Sequence, residues 1–126
     1  MIAVDSSSWI AYLSGDRGGD VELVESALAE RQVCLPPVVL TEILSDSKLT
    51  EPVVALFRQI PLLSLSEGYW ERAGGLRAKV LSSGRKAPLA DSLIAQSCLD
   101  HDVPLITRDS DFQPFVRVAR LKLVQQ

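Results

Sequence analysis

The sequence is poor in the residue types that several common kinds of active site require. It contains one histidine, His101, so a zinc site with several imidazoles cannot form and a Ser-His-Asp arrangement has a single possible base. Its two cysteines, Cys34 and Cys98, lie far apart beside apolar residues, which favours buried packing residues over a metal knuckle or redox pair. The glycine-flanked serine of serine hydrolases and the phosphate-binding loop of nucleotide hydrolases are also missing. These gaps disfavour serine-based hydrolysis and P-loop nucleotide hydrolysis.

Long apolar runs are missing as well. No stretch approaches the roughly 18 uncharged residues that a membrane span needs, and the N-terminus lacks the basic start and apolar stretch of a secretion signal. We therefore expect a cytoplasmic protein without a membrane partner. The 126 residues are 47% hydrophobic and 23% charged, which is typical of a globular protein with one core. A single domain over residues 1–126 is the expectation.

Positive charge is scarce overall, since the formal net charge is −3. This argues against a broad basic surface for nucleic acid, because such binding depends on neutralising phosphates with Lys and Arg. A local basic groove remains open, because five cations lie in one segment without an intervening acid: Arg72, Arg77, Lys79, Arg85 and Lys86. A solvated helix face explains the same segment equally well. The scattered aromatic residues indicate core or dimer contacts rather than a base-stacking platform.

Short apolar runs alternate with segments of helical periodicity along the whole chain. Strands or extended segments are predicted at residues 2–4, 33–35, 61–65, 103–107 and 121–124. Helices are predicted after Asp5 (capped by the following serines), over 21–28, from Pro37 through Glu42, and over 53–60, 67–83 and 88–98. This alternation favours an α/β fold in which helices cover a central parallel sheet, and such sheets bind ligands at the carboxyl ends of their strands.

Four acidic residues stand out by their setting among the 16 in the chain. Asp5 and Asp109 each follow a predicted strand, so their carboxylates converge if the two strands are neighbours. Glu42 and Asp91 lie in helices introduced by proline, and Asp91 is surrounded by core-type residues. Carboxylates gathered in one place raise one another's pKa values unless a cation joins them. Magnesium is suited to such a site because it prefers carboxylate and water oxygens.

Four segments together resemble the PIN domain, and the likeness is greatest to toxins of the VapC type. They are Val4-Asp5-Ser6-Ser7, the helix with Glu42 after Pro36-Pro37, Ala90 to Ala95 around Asp91, and Leu105 to Phe112 with Asp109 and Asp111. The resemblance covers essentially the whole chain. It implies a three-layer α/β/α sandwich, a Mg²⁺ or Mn²⁺ site built by acids, endonucleolytic cleavage of RNA, a VapB-type antitoxin partner and a homodimer.

The resemblance also assigns roles to individual residues. Asp5, Glu42, Asp91 and Asp109 match the metal-binding acids of the family, and Asp111 matches a position that assists or replaces the fourth acid in some members. Ser6 or Ser7 matches a hydroxyl residue that orients a carboxylate or a metal-bound water, although a plain helix cap is a competing interpretation. Thr107 has the same ambiguity.

Two other interpretations remain. A receiver-like signalling domain also joins strand-end acids to magnesium, but it carries paired acids near the N-terminus and a late lysine, whereas Asp5 stands alone here. A catalytically silent PIN domain that serves as a binding scaffold is compatible with the sequence. The RNA that an active member cuts is not encoded in any short motif.

Overall fold

Three short parallel strands form the centre of the structure, a computed structural model that describes residues 1–125. Strand β1 (Ile2–Val4) lies in the middle, between β2 (Val33–Cys34) and β3 (Leu105–Ile106). Single parallel bridges extend this sheet at both edges, from Leu35 to Leu62 and from Leu105 to Leu123. The residues of β2 and β3 are buried, as expected for a parallel sheet covered on both faces.

Seven α-helices surround the sheet within the described part of the chain. They are α1 (Ser6–Leu13), α2 (Gly19–Ala29), α3 (Pro37–Leu44), α4 (Glu51–Gln59), α5 (Tyr69–Ser82), α6 (Leu89–His101) and α7 (Gln113–Ala119). Proline occupies the first or second position of α3, α4 and α7, where its missing N–H costs no helical hydrogen bond. Helix α6 extends three residues past the predicted end, to His101, and Asp102 follows it in the left-handed conformation.

The core lies between the sheet and the helices. Its largest fully buried side chains include Trp9, Phe57, Phe112 and Phe115. Cys34 and Cys98 are both buried and unbridged, so their predicted role as packing residues is confirmed. The predicted fold class, an α/β sandwich around a parallel sheet, is confirmed too. Among the helices of residues 1–125, none combines the length and apolar content that crossing a bilayer needs.

The sequence prediction was wrong at the C-terminal end of the chain. Helix α7 was missed because its seven residues include Pro114 and the β-branched Val116 and Val118, which weaken the helical signal. The strand predicted over 121–124 is reduced to one bridge at Leu123. The strand predicted over 103–107 is shortened to β3, since the amide of Val103 donates instead to the Cys98 carbonyl at the end of α6.

An ion pair between a buried aspartate and an exposed arginine connects distant parts of the chain beside the sheet edge. Asp20, in the first turn of α2, is only 2% exposed. It accepts hydrogen bonds from Arg108 Nε at 2.8 Å, from Arg108 Nη2 at 3.0 Å and from Ser8 Oγ at 2.8 Å. Asp20 therefore ties α2 both to α1 and to the segment that follows β3.

Replacing Asp20 with alanine is expected to lower the free energy of unfolding by about 2 kcal/mol, because Arg108 and Ser8 would lose a buried partner. Arg108 also lowers the pKa of Asp20, so the wild-type advantage should be complete above about pH 4 and decline as pH falls through the lowered pKa. Urea denaturation measures both effects. Asp16→Ala is the matched control, because Asp16 lies 3.8 Å from Arg108 but is exposed. Equal losses for both variants would contradict this role of Asp20.

Candidate active site

Acidic side chains meet at the carboxyl ends of two neighbouring strands. Asp5 directly follows β1, and Asp109 lies three residues after the end of β3. The Asp5 amide donates to the Ile106 carbonyl at 3.0 Å, which continues the pairing of the two strands up to the site. The convergence expected for these two strand ends is therefore present.

Three partly buried carboxylates form the tightest group: Asp91, Asp109 and Asp111. Each offers an oxygen, and these oxygens all lie within 4.8 Å of one another. Oxygen ligands on opposite sides of a magnesium ion lie about 4.2 Å apart, given a metal–oxygen distance of about 2.1 Å. The Asp111 amide donates to Asp109 Oδ1 at 2.8 Å, which fixes these two residues relative to each other. The three side chains fit a small divalent cation in both donor type and spacing.

Asp5 lies deeper than these three acids and is 3% exposed. Burial raises the pKa of Asp5, while hydrogen bonds from the Ser7 hydroxyl, the Ser8 amide and the Thr107 hydroxyl oppose that rise. The Ser7 hydroxyl is 2.9 Å from Asp5 Oδ1, and the Ser8 amide is 3.2 Å from it. Thr107 Oγ1 also accepts the Asp109 amide at 3.0 Å, so it links the two strand-end acids.

The helix-cap interpretation of Ser6 and Ser7 is wrong. Asp5 itself is the N-cap of α1, because its backbone is extended and its carboxylate reaches the Ser8 amide. Ser6 and Ser7 already lie inside the helix, and their hydroxyls contact acids instead. Ser7 donates to Asp5, and Ser6 donates to Glu42 Oε1 on α3 at 2.7 Å in an exposed hydrogen bond.

The five candidate acids influence one another electrostatically. They are Asp5, Glu42, Asp91, Asp109 and Asp111. Burial, followed by the charges of Asp109, Asp5, Asp111 and Glu42, raises the pKa of Asp91 to about 7. One cation partly offsets this charge: Lys86 Nζ lies 3.3 Å from Asp111 Oδ2. Within residues 1–125, no other lysine or arginine forms an ion pair with any of the five. A bound divalent cation would relieve the remaining repulsion.

The family model of the PIN domain matches residues 2–121, which is nearly the whole chain. The chain belongs to the PIN domain family. This membership confirms the resemblance seen in the sequence and removes the receiver-like interpretation. Which acids of this PIN domain hold a metal or act in catalysis remains a prediction.

Similar proteins support the likeness to VapC proteins. This PIN domain is 27% identical to a VapC ribonuclease of Mycobacterium bovis and to ribonuclease VapC11 of Mycobacterium tuberculosis, over 97% of this chain and 96% of each relative. A crystal structure of VapBC2 from Rickettsia felis, bound to a DNA fragment from its promoter, contains a chain with the same fold. The match has a TM-score of 0.74 at 20% identity and covers 100% of this chain and 99% of that chain.

The sequence analysis missed the framework behind the acids. Asp20 carries no signal beyond an acid in the first turn of a helix, and its partner Arg108 lies 88 positions away. The cations of the five-cation segment are not gathered at the candidate acids. Arg72 pairs with Asp100 at 2.6 Å, and Arg77 donates to the Ala87 carbonyl at 2.8 Å. Only Lys86 of this segment pairs with one of the candidate acids.

Replacing Ser7 with alanine should weaken Mn²⁺ binding about tenfold, because a partner that orients a candidate metal ligand is lost. Ser6→Ala should weaken it only about twofold, since the hydrogen bond to Glu42 is exposed. Mn²⁺ titration followed by electron paramagnetic resonance measures both affinities. Ser26→Ala, on the exposed face of α2, controls for the change in helix propensity. An unchanged affinity in Ser7→Ala would contradict the role given to Ser7.

In metal-free protein, Asp91→Asn should be more stable than wild type at pH 8, by on the order of 1 kcal/mol. Asp91 is expected to titrate near 3.8 when unfolded and at about 7 when folded. The folded state therefore binds more protons, and wild-type stability falls as pH rises through this window. At pH 4 the two proteins should be equally stable.

Urea denaturation in chelator at both pH values tests this expectation. Asp102→Asn is the control, because Asp102 is exposed and lies beyond the opposite end of α6. Its effect on stability should be small at both pH values, since its ion pair with Lys122 is exposed. If Asp91→Asn were the less stable protein at pH 8, the repulsion described for the acids would be contradicted.

Proposed function

We propose that this PIN domain is a magnesium-dependent endoribonuclease and the toxin of a VapBC-type toxin–antitoxin pair. The observation that carries the proposal is the meeting of Asp91, Asp109 and Asp111 beside Asp5 at the carboxyl edge of the sheet. The likeness to VapC ribonucleases over nearly the full chain supports RNA as the substrate. None of the four metal-binding acids expected from the family is replaced, which favours an active enzyme over a silent scaffold.

In this proposal Asp5, Glu42, Asp91 and Asp109 form the catalytic set, and Asp111 joins them as a metal ligand. Magnesium, or manganese in its place, would activate a water for attack on the phosphodiester and stabilise the charge that develops on the phosphate. Hydrogen bonds within the chain hold these acids in place. Ser7 and Thr107 hold Asp5, the Asp111 amide holds Asp109, and Ser6 restrains Glu42 at the outer side of the site.

The proposed partners follow the same likeness. A VapB-type antitoxin is supported by the fold shared with a chain of the VapBC2 structure. A groove beside Glu42, lined by apolar residues such as Ile10, Leu13, Leu49 and Val53, offers such a partner a surface. A homodimer, a cytoplasmic location and a single domain over residues 1–126 remain predictions from the sequence.

Purified protein should cleave RNA internally when Mg²⁺ or Mn²⁺ is present and lose this activity in chelator. Asp109→Asn should lower the cleavage rate at least about 100-fold, since the variant keeps the cap to Asp111 but loses a metal-binding charge. Gel analysis of a labelled structured RNA measures the rate. Asp102→Asn should cleave like wild type. Undiminished cleavage by Asp109→Asn would refute the assigned site, and no cleavage of any RNA by wild type would favour the scaffold.

A further inference from the structure

Among residues 1–125, Lys86 is the only lysine or arginine that forms an ion pair with the candidate acids. The backbone around Lys86 sets its position. It lies in the segment between α5 and α6, directly before Ala87, which is buried, and Pro88, which precedes α6. Arg77 Nε donates to the Ala87 carbonyl at 2.8 Å and anchors this segment to α5. The flexible Lys86 side chain is therefore tethered at the edge of the acidic group.

The contact between Lys86 and Asp111 is too exposed to be a strong structural bond. The Lys86 side chain is 76% exposed and that of Asp111 is 33% exposed, with 3.3 Å between Nζ and Oδ2. Exposed ion pairs of this kind add little to stability, because water screens them and both side chains lose freedom. Asp111 can exchange Lys86 for a stronger cationic partner at little cost, and the released amine then stays beside the site.

An RNA backbone needs positive charge where it approaches these acids. Five carboxylates and one divalent ion leave a net negative charge, which repels phosphates. The other four cations of the segment form no ion pair with the acids among residues 1–125. Arg72 is paired with Asp100, and Arg77 is bonded to the Ala87 carbonyl. Lys79 and Arg85 are exposed. Lys86 alone combines high exposure with a place against the acids.

We propose that Lys86 is an RNA-binding residue, which pairs with Asp111 in the metal-free protein and contacts a backbone phosphate of the RNA when a cation occupies the acids. This rests on the proposed function for its substrate. Lys86 supplies binding charge and plays no part in holding the metal. It is therefore a positioning residue for the substrate.

Equilibrium binding of a labelled single-stranded RNA to the Glu42→Gln protein in Mg²⁺ tests the proposal with cleavage suppressed, because this variant keeps all three acids of the tightest group, Asp91, Asp109 and Asp111. Lys86→Gln should weaken binding about fivefold near 0.1 M salt and reduce the slope of log affinity against log salt by about 0.7, the values for one lost phosphate contact. Lys86→Arg should retain most of the affinity. Lys79→Gln is the matched control, since Lys79 is an exposed lysine of the same segment without an ion pair to the acids. Equal affinity and slope in Lys86→Gln and Lys79→Gln would overturn the proposal.

A second measurement separates binding of RNA from support of Asp111. Mn²⁺ affinity, measured without RNA, should be unchanged or higher in Lys86→Gln, because the amine no longer competes for Asp111. A loss of Mn²⁺ affinity with unchanged RNA binding would identify Lys86 as a tether for Asp111 and overturn the proposal.

Steady-state cleavage by otherwise wild-type protein distinguishes this inference from the proposed function. Lys86→Gln should raise KM for RNA about fivefold with little change in kcat, as expected for a lost phosphate contact. Cleavage by wild type with identical KM in Lys86→Gln and Lys79→Gln would leave the nuclease standing and remove the role of Lys86. No binding and no cleavage by wild type would remove both.

Discussion

The structure depends on one electrostatic constraint, the gathering of like charges at a single edge of the sheet. Asp91 shows its strength, because burial and four neighbouring carboxylates raise the pKa of this residue to about 7. Such an arrangement opposes folding unless the acids are held in place by other interactions or joined by a cation. The residues around the acids hold them in place in the folded chain despite this repulsion.

The supports come from groups that donate hydrogen bonds without adding charge to the site. Ser7 and the Ser8 amide donate to Asp5, and the Asp111 amide donates to Asp109. Arg108 pairs with Asp20 rather than with the candidate acids, and this pair ties α2 to the segment after β3. This leaves the exposed Lys86 as the ion-pair partner of the cluster among residues 1–125. The hydrogen-bonded support is largely buried, whereas the Lys86 side chain is exposed.

The parts of this account that the sequence could predict depend on local signals. Apolar runs followed by an acid located β1 with Asp5 and β3 with Asp109, and prolines located the starts of α3 and α6. Long-range pairings have no such signal, so the contact of Asp20 with Arg108 and that of Lys86 with Asp111 could not be predicted. The cap of α1 was misassigned because serine and aspartate both favour that position, and only the extended backbone of Asp5 distinguishes them.

The central claim is that these acids surround one place for a divalent cation. Anomalous X-ray scattering from crystals of the wild-type protein grown with Mn²⁺ tests it most directly. The account predicts a manganese peak bound by carboxylate oxygens of Asp91, Asp109 and Asp111. A well-ordered site with no peak between these side chains, or manganese bound only by acids elsewhere on the surface, would contradict it.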